Sequence, residues 1–227
     1  MSRLKNNTTW NEKDVNRVLD LLKERYPEAG CALRHDSVFH LLIAVVLSAQ
    51  TTDVSVNKVT PELFRRYPDP ASLAAANPAD VQEIIRQIGL YKSKASNIIR
   101  LSEALVRDYN CEVPGDHAQL TKLPGVGRKT ANVVLAEGFG EQRIAVDTHV
   151  FRVSNRIGLA ASDDVVHTEE MLMEVLPNDR WTEAHHLLIF HGRNLCKARK
   201  PDCEACPISG FCKYCVEKST VQNGPKE

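Results

Sequence analysis

The feature that most restricts the fold is a group of cysteines near the carboxyl end of the chain. Five of the seven cysteines lie within residues 196–215, namely Cys196, Cys203, Cys206, Cys212 and Cys215. The first ten residues have no apolar core, so the chain shows no secretion signal. In such a chain, crowded cysteines indicate metal ligation rather than disulfides. The segment is therefore predicted to fold around a metal centre, which holds a loop that has no hydrophobic core.

Elsewhere the apolar residues recur at helical spacing. Residues 15–26 form an apolar stripe at steps of three and four, and residues 38–47 are apolar on nearly every side, which predicts a central buried helix. Asn77 and Pro78 are typical of an N-cap and a first turn. No segment shows the two-residue alternation of a strand. The predicted fold is all-α, with many short helices and tight turns, and the polar last dozen residues are expected to fray.

Composition sets further limits. The chain has 227 residues, 43% of them hydrophobic and 26% charged, and it contains only 11 glycines and 11 prolines, which excludes a fibrous or disordered chain. The 29 basic and 29 acidic residues balance, so any affinity for nucleic acid must come from local placement of Lys and Arg. The apolar run 41–47 is too short to span a bilayer. We therefore expect an intracellular protein without a membrane partner.

The most informative stretch for function is residues 116–137. Asp116 can cap a short helix that ends near Leu123, and a second helix is predicted from Arg128 to about Glu137. Between them lies the sequence Leu123-Pro124-Gly125-Val126-Gly127. Its two glycines permit positive φ and leave no side chains in the way, so the N–H groups of the turn and the start of the second helix can face outward together. This predicts a site for a phosphate, although a lone glycine-rich turn is more often structural.

Two residues near this turn carry candidate chemistry. Lys129 lies in the first turn of the second helix, where the helix N-terminus disfavours its ammonium form and burial would lower its pKa further. A neutral amine beside a sugar–phosphate is a nucleophile, and the plainer alternative is a phosphate contact. Asp147 follows three apolar residues and can cap a helix that starts near Thr148. Capping alone would explain an isolated aspartate at this position, and both roles can coexist.

The cysteines leave two metals open on residue chemistry alone. Cys196, Cys203, Cys206 and Cys212 could bind a [4Fe–4S] cluster, which requires four thiolates. The last four cysteines, which include Cys215, would instead make a compact zinc site, although their middle spacer is shorter than zinc ribbons usually have.

Several of these stretches together resemble the helix–hairpin–helix signature of the endonuclease III glycosylases. The resemblance rests on residues 123–131, Leu-Pro-Gly-Val-Gly-Arg-Lys-Thr-Ala, followed by Val146-Asp147-Thr148-His149. It extends to residues 47–53 and 88–95 and covers roughly residues 15–215. The joint pattern is far more specific than any one of its parts.

The resemblance implies a bifunctional DNA glycosylase and abasic-site lyase that acts on oxidised pyrimidines. In this family the lysine that matches Lys129 attacks C1′ of the damaged nucleotide, the base leaves, and β-elimination through a Schiff base cuts the strand. The aspartate that matches Asp147 accepts a proton and stabilises positive charge on the sugar. The related adenine and mismatch glycosylases lack this lysine, which makes a monofunctional mismatch glycosylase the alternative enzyme.

The resemblance also implies DNA contacts. A base must leave the stack before it is cut from its sugar, and Gln50 and Leu90 are implied to fill the gap. His149 is implied to lie in the lesion pocket or at this wedge, and it would otherwise be a surface histidine. Further DNA-binding residues are expected in the hairpin, at Leu123, Gly125, Val126, Gly127 and Arg128. By its chemistry, Asp53 is interpreted as a helix N-cap, with a pocket role as the alternative.

For the cysteines, the resemblance favours a [4Fe–4S] cluster on Cys196, Cys203, Cys206 and Cys212 over zinc. Cys215 departs from the family pattern and is interpreted as a free thiol near the cluster. Residues 191–218 hold more basic than acidic side chains, which fits a loop beside DNA. The histidines His185, His186 and His191 could also bind a metal, but they lie in an apolar helix and are interpreted as helix residues with satisfied side chains.

The expected architecture has two helical domains. Residues 31–141 would form a helical barrel with the hairpin, and residues 1–30 and 142–227 a cluster domain, with Lys129 and Asp147 facing each other across a DNA cleft. The expected partner is double-stranded DNA with a damaged base or abasic site, bound by a monomer in the cytoplasm at the nucleoid. A non-catalytic, zinc-containing DNA-binding module is the alternative from another class.

Overall fold

The computed structural model describes residues 10–222, and every regular element in this range is helical, which confirms the all-α prediction. The helices are α1 (Glu12–Arg25), α2 (Val38–Leu47), α3 (Asp53–Arg66), α4 (Pro70–Ala74), α5 (Pro78–Ile85), α6 (Tyr91–Asp108), α7 (His117–Leu120), α8 (Arg128–Phe139), α9 (Thr148–Ile157), α10 (Val165–Val175), α11 (Trp181–Asn194) and α12 (Lys213–Gln222). A short 3₁₀ turn, Asn178–Arg180, precedes α11. Within the described range, none of the helices is long and apolar enough to cross a membrane.

The chain divides into two compact units, and one of them is Cys31–Glu141 with helices α2 to α8. Its centre is α2, whose residues from Phe39 to Leu47 are all buried, as the sequence predicts. Helices α3, α6 and α8 pack against α2, and α4 and α5 pack against α6. This arrangement gives the unit its own hydrophobic core and holds the start of α8 at its surface.

The other unit combines α1 with the part of the chain from Gln142 onward. Helix α9 packs against α10, α11 and α12, and α1 packs against α11. The indole N–H of Trp10, two residues before α1, donates to the carbonyl oxygen of Gly158, the C-cap of α9, over 2.6 Å. The core of this unit includes residues of every one of its helices up to α11, together with Ile208 and Cys212 of the cysteine segment.

Most predicted helix starts are confirmed. Asn77 and Asp116 cap α5 and α7 by accepting the N–H groups of Ala79 and Gln119. The interpretation of Asp53 as an N-cap is wrong. Thr52 takes that place through its hydroxyl oxygen, and Asp53 is the first residue inside α3.

The carboxyl-terminal prediction is wrong for part of its range. Helix α12 continues to Gln222, so the segment expected to fray is helical as far as it is described. Residues 223–227 lie outside the described residues, as do residues 1–9.

Candidate functional site

The glycine hairpin between α7 and α8 has the predicted form. Gly125 has φ of 79°, and a Cβ added there would lie 3.2 Å from Cβ of Asn97. Glycine is therefore required at this position both by the backbone and by the close approach of α6. Gly127 is the N-cap of α8 and has no side chain to close the helix start.

The sequence predicts that the N–H groups of this turn face outward together, and this prediction is wrong for Leu123 and Val126. The N–H of Val126 donates to the carbonyl oxygen of Leu123 over 3.1 Å, and the N–H of Leu123 donates to that of Leu120. The side chains of Leu123 and Val126 are buried in the unit's core. Any DNA contact in the hairpin is left to Gly125, Gly127 and the first turn of α8, whose N–H groups have no intrahelical acceptor.

Lys129 lies in that first turn and is exposed, as is its neighbour Arg128. The buried face of α8 is formed by Ala131, Val134 and Leu135, which turn Lys129 toward solvent. The protein alone therefore does not bury the amine of Lys129.

Asp147 caps α9, as predicted. Its Oδ1 accepts the N–H of His149 over 2.8 Å and the N–H of Val150 over 2.7 Å. Both hydrogen bonds use the same oxygen, so the cap does not use Oδ2. The carboxylate is half-buried and oriented by the helix, which is the preparation that a proton acceptor or an electrostatic stabiliser requires.

His149 is half-buried rather than a surface histidine. Its Nδ1 lies 3.2 Å from Nη2 of Arg152, and it packs against Gly192 of α11, where an added Cβ would lie 3.0 Å from Cβ of His149. Burial lowers the pKa of the His149 imidazole, the nearby Asp147 opposes this, and Arg152 and Arg193 reinforce it. The arrangement favours a neutral ring beside the carboxylate.

Gln50 and Leu90 both lie in turns between helices, as predicted from the sequence. Gln50 follows α2, and Leu90 immediately precedes α6. Both have left-handed backbones, with φ of 55° and 59°, and both side chains are exposed, Leu90 to 63%. A non-glycine residue in this conformation stores strain and persists where surrounding contacts determine it. Two exposed side chains on strained backbones of one unit are suited to projecting into a ligand.

One contact that the sequence does not reveal joins these two turns. The ammonium of Lys94 is buried, with the residue only 5% exposed, and it donates to Oγ1 of Thr51 over 2.6 Å. Thr51 directly follows Gln50, and Lys94 lies one helical turn after Leu90.

The four cysteines expected to bind the cluster come together in the other unit. Cys212 is buried, and Cys196, Cys203 and Cys206 are half-buried. Burial, together with the charges of the other three cysteines, raises the pKa of Cys206 to about 11. Thiols in this situation need a positive partner to become thiolates. An iron–sulfur cluster is such a partner, so the donor set fits the group.

Other side chains are placed to support these sulfur atoms. Arg156 of α9 approaches Sγ of Cys196 with Nη1 at 3.5 Å, and it donates to the carbonyl oxygens of Lys197 and Ala198 over 2.7 and 2.9 Å. Buried His191 lies with Nε2 3.6 Å from Sγ of Cys206. His191 is therefore a helix residue with partners for both ring nitrogens, as interpreted from the sequence, and one of these partners is a candidate ligand.

Cys215 lies beside the same group, in the first turn of α12. Its thiol interacts with Cys203 and Cys212, and its pKa is raised by burial and by those neighbours. The expectation of a thiol near the cluster thus agrees with its location. Among residues 10–222, no three His, Cys, Asp or Glu side chains are close enough to bind one metal ion, whereas in a [4Fe–4S] cluster each cysteine binds a different iron.

Helix α9 links the two kinds of candidate residue within this unit. Asp147 caps its beginning, and Arg156 near its end contacts Cys196. Between them, Arg152 donates through Nη2 to the carbonyl oxygens of Gly192 and Cys196 over 3.0 and 3.1 Å. The four-residue spacing of Arg152 and Arg156 places both on one helix face and could have indicated a shared role. Their partners could not be predicted from that spacing, because they lie about forty residues further along the chain.

Two family models match the chain. The model of the HhH-GPD superfamily of base excision DNA repair proteins matches residues 43–178, which is more than half of the chain. The model of the iron–sulfur binding domain of endonuclease III matches residues 196–212. The second match begins at Cys196 and ends at Cys212, and it supports the expected [4Fe–4S] cofactor over zinc.

Individual proteins show the same relationship. The chain is 47% identical to endonuclease III of Bacillus subtilis over 204 residues, which cover 89% of this chain and 93% of the other. It is 49% identical to endonuclease III of Escherichia coli K12 over 197 residues, which cover 87% and 93%.

Solved structures agree. A trapped endonuclease III–DNA covalent intermediate superimposes with a TM-score of 0.86 at 47% identity, covering 92% of this chain and 99% of the other. A thermostable thymine-DNA glycosylase, at 22% identity and a TM-score of 0.80, covers 90% of this chain and 98% of its own and shares the fold. With these matches over most of its length, the chain belongs to the endonuclease III family of base excision DNA repair proteins.

Proposed function

We propose that the protein is a bifunctional DNA glycosylase and abasic-site lyase that removes oxidised pyrimidines from double-stranded DNA. The observation that carries this proposal is the exposed Lys129 in the first turn of α8, directly after a hairpin suited to a backbone phosphate. A phosphate at the helix start would bring the neighbouring sugar within reach of the amine. The trapped covalent intermediate of the related endonuclease III supports a covalent mechanism.

In the proposed reaction, the amine of Lys129 attacks C1′, and the damaged base leaves with the electrons of the glycosidic bond. The adduct loses a proton from Nζ, the C1′–O4′ bond breaks as O4′ takes up a proton, and a protonated Schiff base forms between Nζ and C1′. Removal of a C2′ proton then expels the 3′ phosphate by β-elimination. Water finally hydrolyses the Schiff base and returns the amine.

Asp147 is proposed to accept a proton and to stabilise positive charge on the sugar. Because the N-cap uses Oδ1, the carboxylate keeps a second oxygen, Oδ2, for this role. The proposal requires Lys129 and Asp147 to meet at one sugar in the DNA complex. That requirement rests on family membership and on the chemistry of the two groups.

The [4Fe–4S] cluster is proposed to be held by Cys196, Cys203, Cys206 and Cys212 and to supply structure. A bound cluster would cross-link the loop after α11 to the end of α9 through Cys196 and Arg156. Because Asp147 begins the same helix, the cluster would stabilise the element that presents the carboxylate. No bond of the DNA is broken at the cluster.

For DNA binding we propose that Gln50 and Leu90 enter the duplex when the damaged nucleotide leaves it. Their exposure and their left-handed backbones support this role. His149, beside Asp147, is proposed to line the lesion pocket. The protein is proposed to act as a monomer and, because its substrate is chromosomal DNA, in the cytoplasm at the nucleoid.

The deciding experiment traps the Schiff base. The purified protein is incubated with a duplex that contains one thymine glycol, borohydride is added, and covalent protein–DNA adducts are separated on a denaturing gel. We expect an adduct with the wild-type protein and with Lys58→Ala, an exposed lysine on α3. Lys129→Ala should give none.

Two other outcomes would assign a different function. Base release without an adduct would identify a monofunctional glycosylase and remove the nucleophilic role of Lys129. DNA binding without base release, across a panel of oxidised pyrimidines and an abasic site, would favour a binding module.

A further inference from the structure

Lys94 is a buried lysine to which the proposed reaction assigns no role. The residue is 5% exposed, and its Nζ donates to Oγ1 of Thr51 over 2.6 Å. Burial also lowers the pKa of its ammonium group. Lysine is almost never buried without a specific partner, because removing an ammonium from water is costly. One hydrogen bond to a neutral hydroxyl offsets only part of that cost, so a contribution to stability alone does not account for a lysine at this position.

The position of Lys94 supplies a functional reason. Its backbone N–H donates to the carbonyl oxygen of Leu90 over 3.0 Å, and the hydroxyl of Ser93 donates to the same oxygen over 3.2 Å. Its side chain reaches Thr51, the residue that follows Gln50. One residue therefore contacts both turns whose central residues have left-handed backbones and exposed side chains.

We propose that Lys94 is a positioning residue that holds the Gln50 turn and the Leu90 turn in register, so that both side chains enter the duplex together. The inference rests on the proposed function and adds to it a residue that does not itself touch DNA. Because Lys94 belongs to α6, its hydrogen bond to Thr51 couples the position of the turn after α2 to the position of the start of α6. The turn is braced independently by the N–H of Thr51, which donates to the carbonyl oxygen of Ser48 over 3.0 Å.

A long, donor-only side chain suits this role. Lys94 lies in the first turn of α6, and its side chain reaches Thr51, which is 43 residues earlier in the chain. The methylene groups of this side chain pack inside the unit. Methionine has a similar length and tolerates burial but cannot donate a hydrogen bond. Lys94→Met therefore removes the contact and leaves the packing nearly unchanged. Thr51→Val removes the acceptor and keeps the shape of the side chain, and it also removes the long hydrogen bond, 3.5 Å, from Oγ1 to the carbonyl oxygen of Ala49.

The test compares two substrates that differ in their need for a wedge. An abasic site in a duplex must be extruded from the stack, whereas an abasic site in a short single strand is already accessible to the amine of Lys129. We expect Lys94→Met to cleave the duplex substrate about tenfold to a hundredfold more slowly, because small misplacements cost that much. Cleavage of the single strand should stay within about twofold of wild type, as should both activities of the control Lys58→Met.

Two further measurements separate positioning from folding. The double variant Lys94→Met/Thr51→Val should be no slower on the duplex than the slower single variant, because both changes remove the same hydrogen bond between Nζ of Lys94 and Oγ1 of Thr51. Fluorescence of 2-aminopurine placed beside the abasic site should rise less on binding of Lys94→Met than of wild type, because the stack opens less. If Lys94→Met does not fold, Thr51→Val alone carries both comparisons.

Equal losses on the duplex and the single strand would overturn the inference, because they indicate a purely structural residue. Wild-type cleavage of the duplex by both Lys94→Met and Thr51→Val would overturn it as well. If the wild-type protein forms no borohydride-trapped adduct with either substrate, the proposed function itself fails and the inference falls with it. These outcomes are distinguishable in one set of reactions.

Discussion

The hydroxyl of Tyr26 lies 3.2 Å from Nδ1 of His191, and both side chains are buried. The other ring nitrogen, Nε2, lies 3.6 Å from Sγ of Cys206. When Cys206 binds the cluster as a thiolate, its sulfur has no proton, so Nε2 must donate and Nδ1 must accept the proton of Tyr26. Tyr26, the C-cap of α1, thereby fixes the tautomer of a histidine that contacts a candidate cluster ligand.

This relationship predicts that His191→Phe loses iron more readily than wild type. The substitution keeps an aromatic ring but removes the donor to Cys206, and loss of an outer-shell partner typically weakens metal binding by about tenfold or more. Tyr26→Phe should have a smaller effect in the same direction. The measurement is the decay of the cluster's visible absorbance in the presence of an iron chelator, with Tyr67→Phe as the control. An unchanged decay in His191→Phe would contradict the role.

The ligand set predicts opposite results for two neighbouring cysteines. Cys206→Ser should be purified with most of its iron missing, because a four-iron cluster needs four thiolates. Cys215→Ser should retain its iron, since Cys215 lies beyond the matched segment 196–212. Iron and sulfide analysis of the purified variants decides between them. Iron loss in Cys215→Ser together with iron retention in Cys196→Ser would show that the set is wrong.

Gly125→Ala is expected to weaken DNA binding and to destabilise the fold. The new Cβ would meet Asn97 at 3.2 Å in a backbone with φ of 79°, and strain of this kind costs about 1 to 3 kcal/mol. The matched control for stability is Gly127→Ala, whose Cβ would meet nothing within 4 Å and whose φ is −98°. Urea unfolding and a duplex titration measure the two effects. Equal stability of the two variants would exclude strain at Gly125.

Gly192→Ala is expected to disturb the start of α9. An added Cβ would lie 3.0 Å from Cβ of His149 and 3.1 Å from Nη2 of Arg152. Overpacking at such a contact costs about 1 to 3 kcal/mol and should displace His149 beside Asp147. The variant should therefore lose both thermal stability and lyase rate, whereas Gly30→Ala, which has no contact closer than 4.0 Å, should keep both.

Glu183 predicts a pH-dependent contribution to stability. Burial by itself would raise its pKa, but hydrogen bonds from Lys23 and Arg180, at 2.6 Å each, lower the pKa below the ordinary value of 4.5. A carboxyl group with a lower pKa in the folded state stabilises the fold above its unfolded pKa. That stability is lost as the pH falls through the folded pKa.

Glu183→Gln should therefore reduce the free energy of unfolding by about 1 kcal/mol at neutral pH. The difference from wild type should shrink in acid, at a pH well below the ordinary pKa of 4.5. Urea unfolding at both pH values tests this, with the exposed Glu170→Gln as control. A difference that persists in acid would assign the effect to packing instead of charge.

Local sequence signals account for much of the candidate site. The hairpin glycines, the Asp147 cap and the buried helix at 38–47 each depend on residues within about one or two helical turns of one another, and all were predictable. The solvent exposure of Lys129 and the use of the Val126 N–H inside the turn were not. Both follow from how α8 packs on the core, which a linear pattern does not contain.

The sequence alone determined the all-α class, the family and the residue types for the proposed chemistry, because helical periodicity, glycine turns and cysteine spacing are written in short segments. Only the tertiary structure decided which distant side chains meet. Lys94 and Thr51 are 43 residues apart, and Tyr26 and His191 are 165 apart. Such pairs form when separate helices pack their apolar faces, and the buried polar groups left at those contacts must then find partners where packing places them.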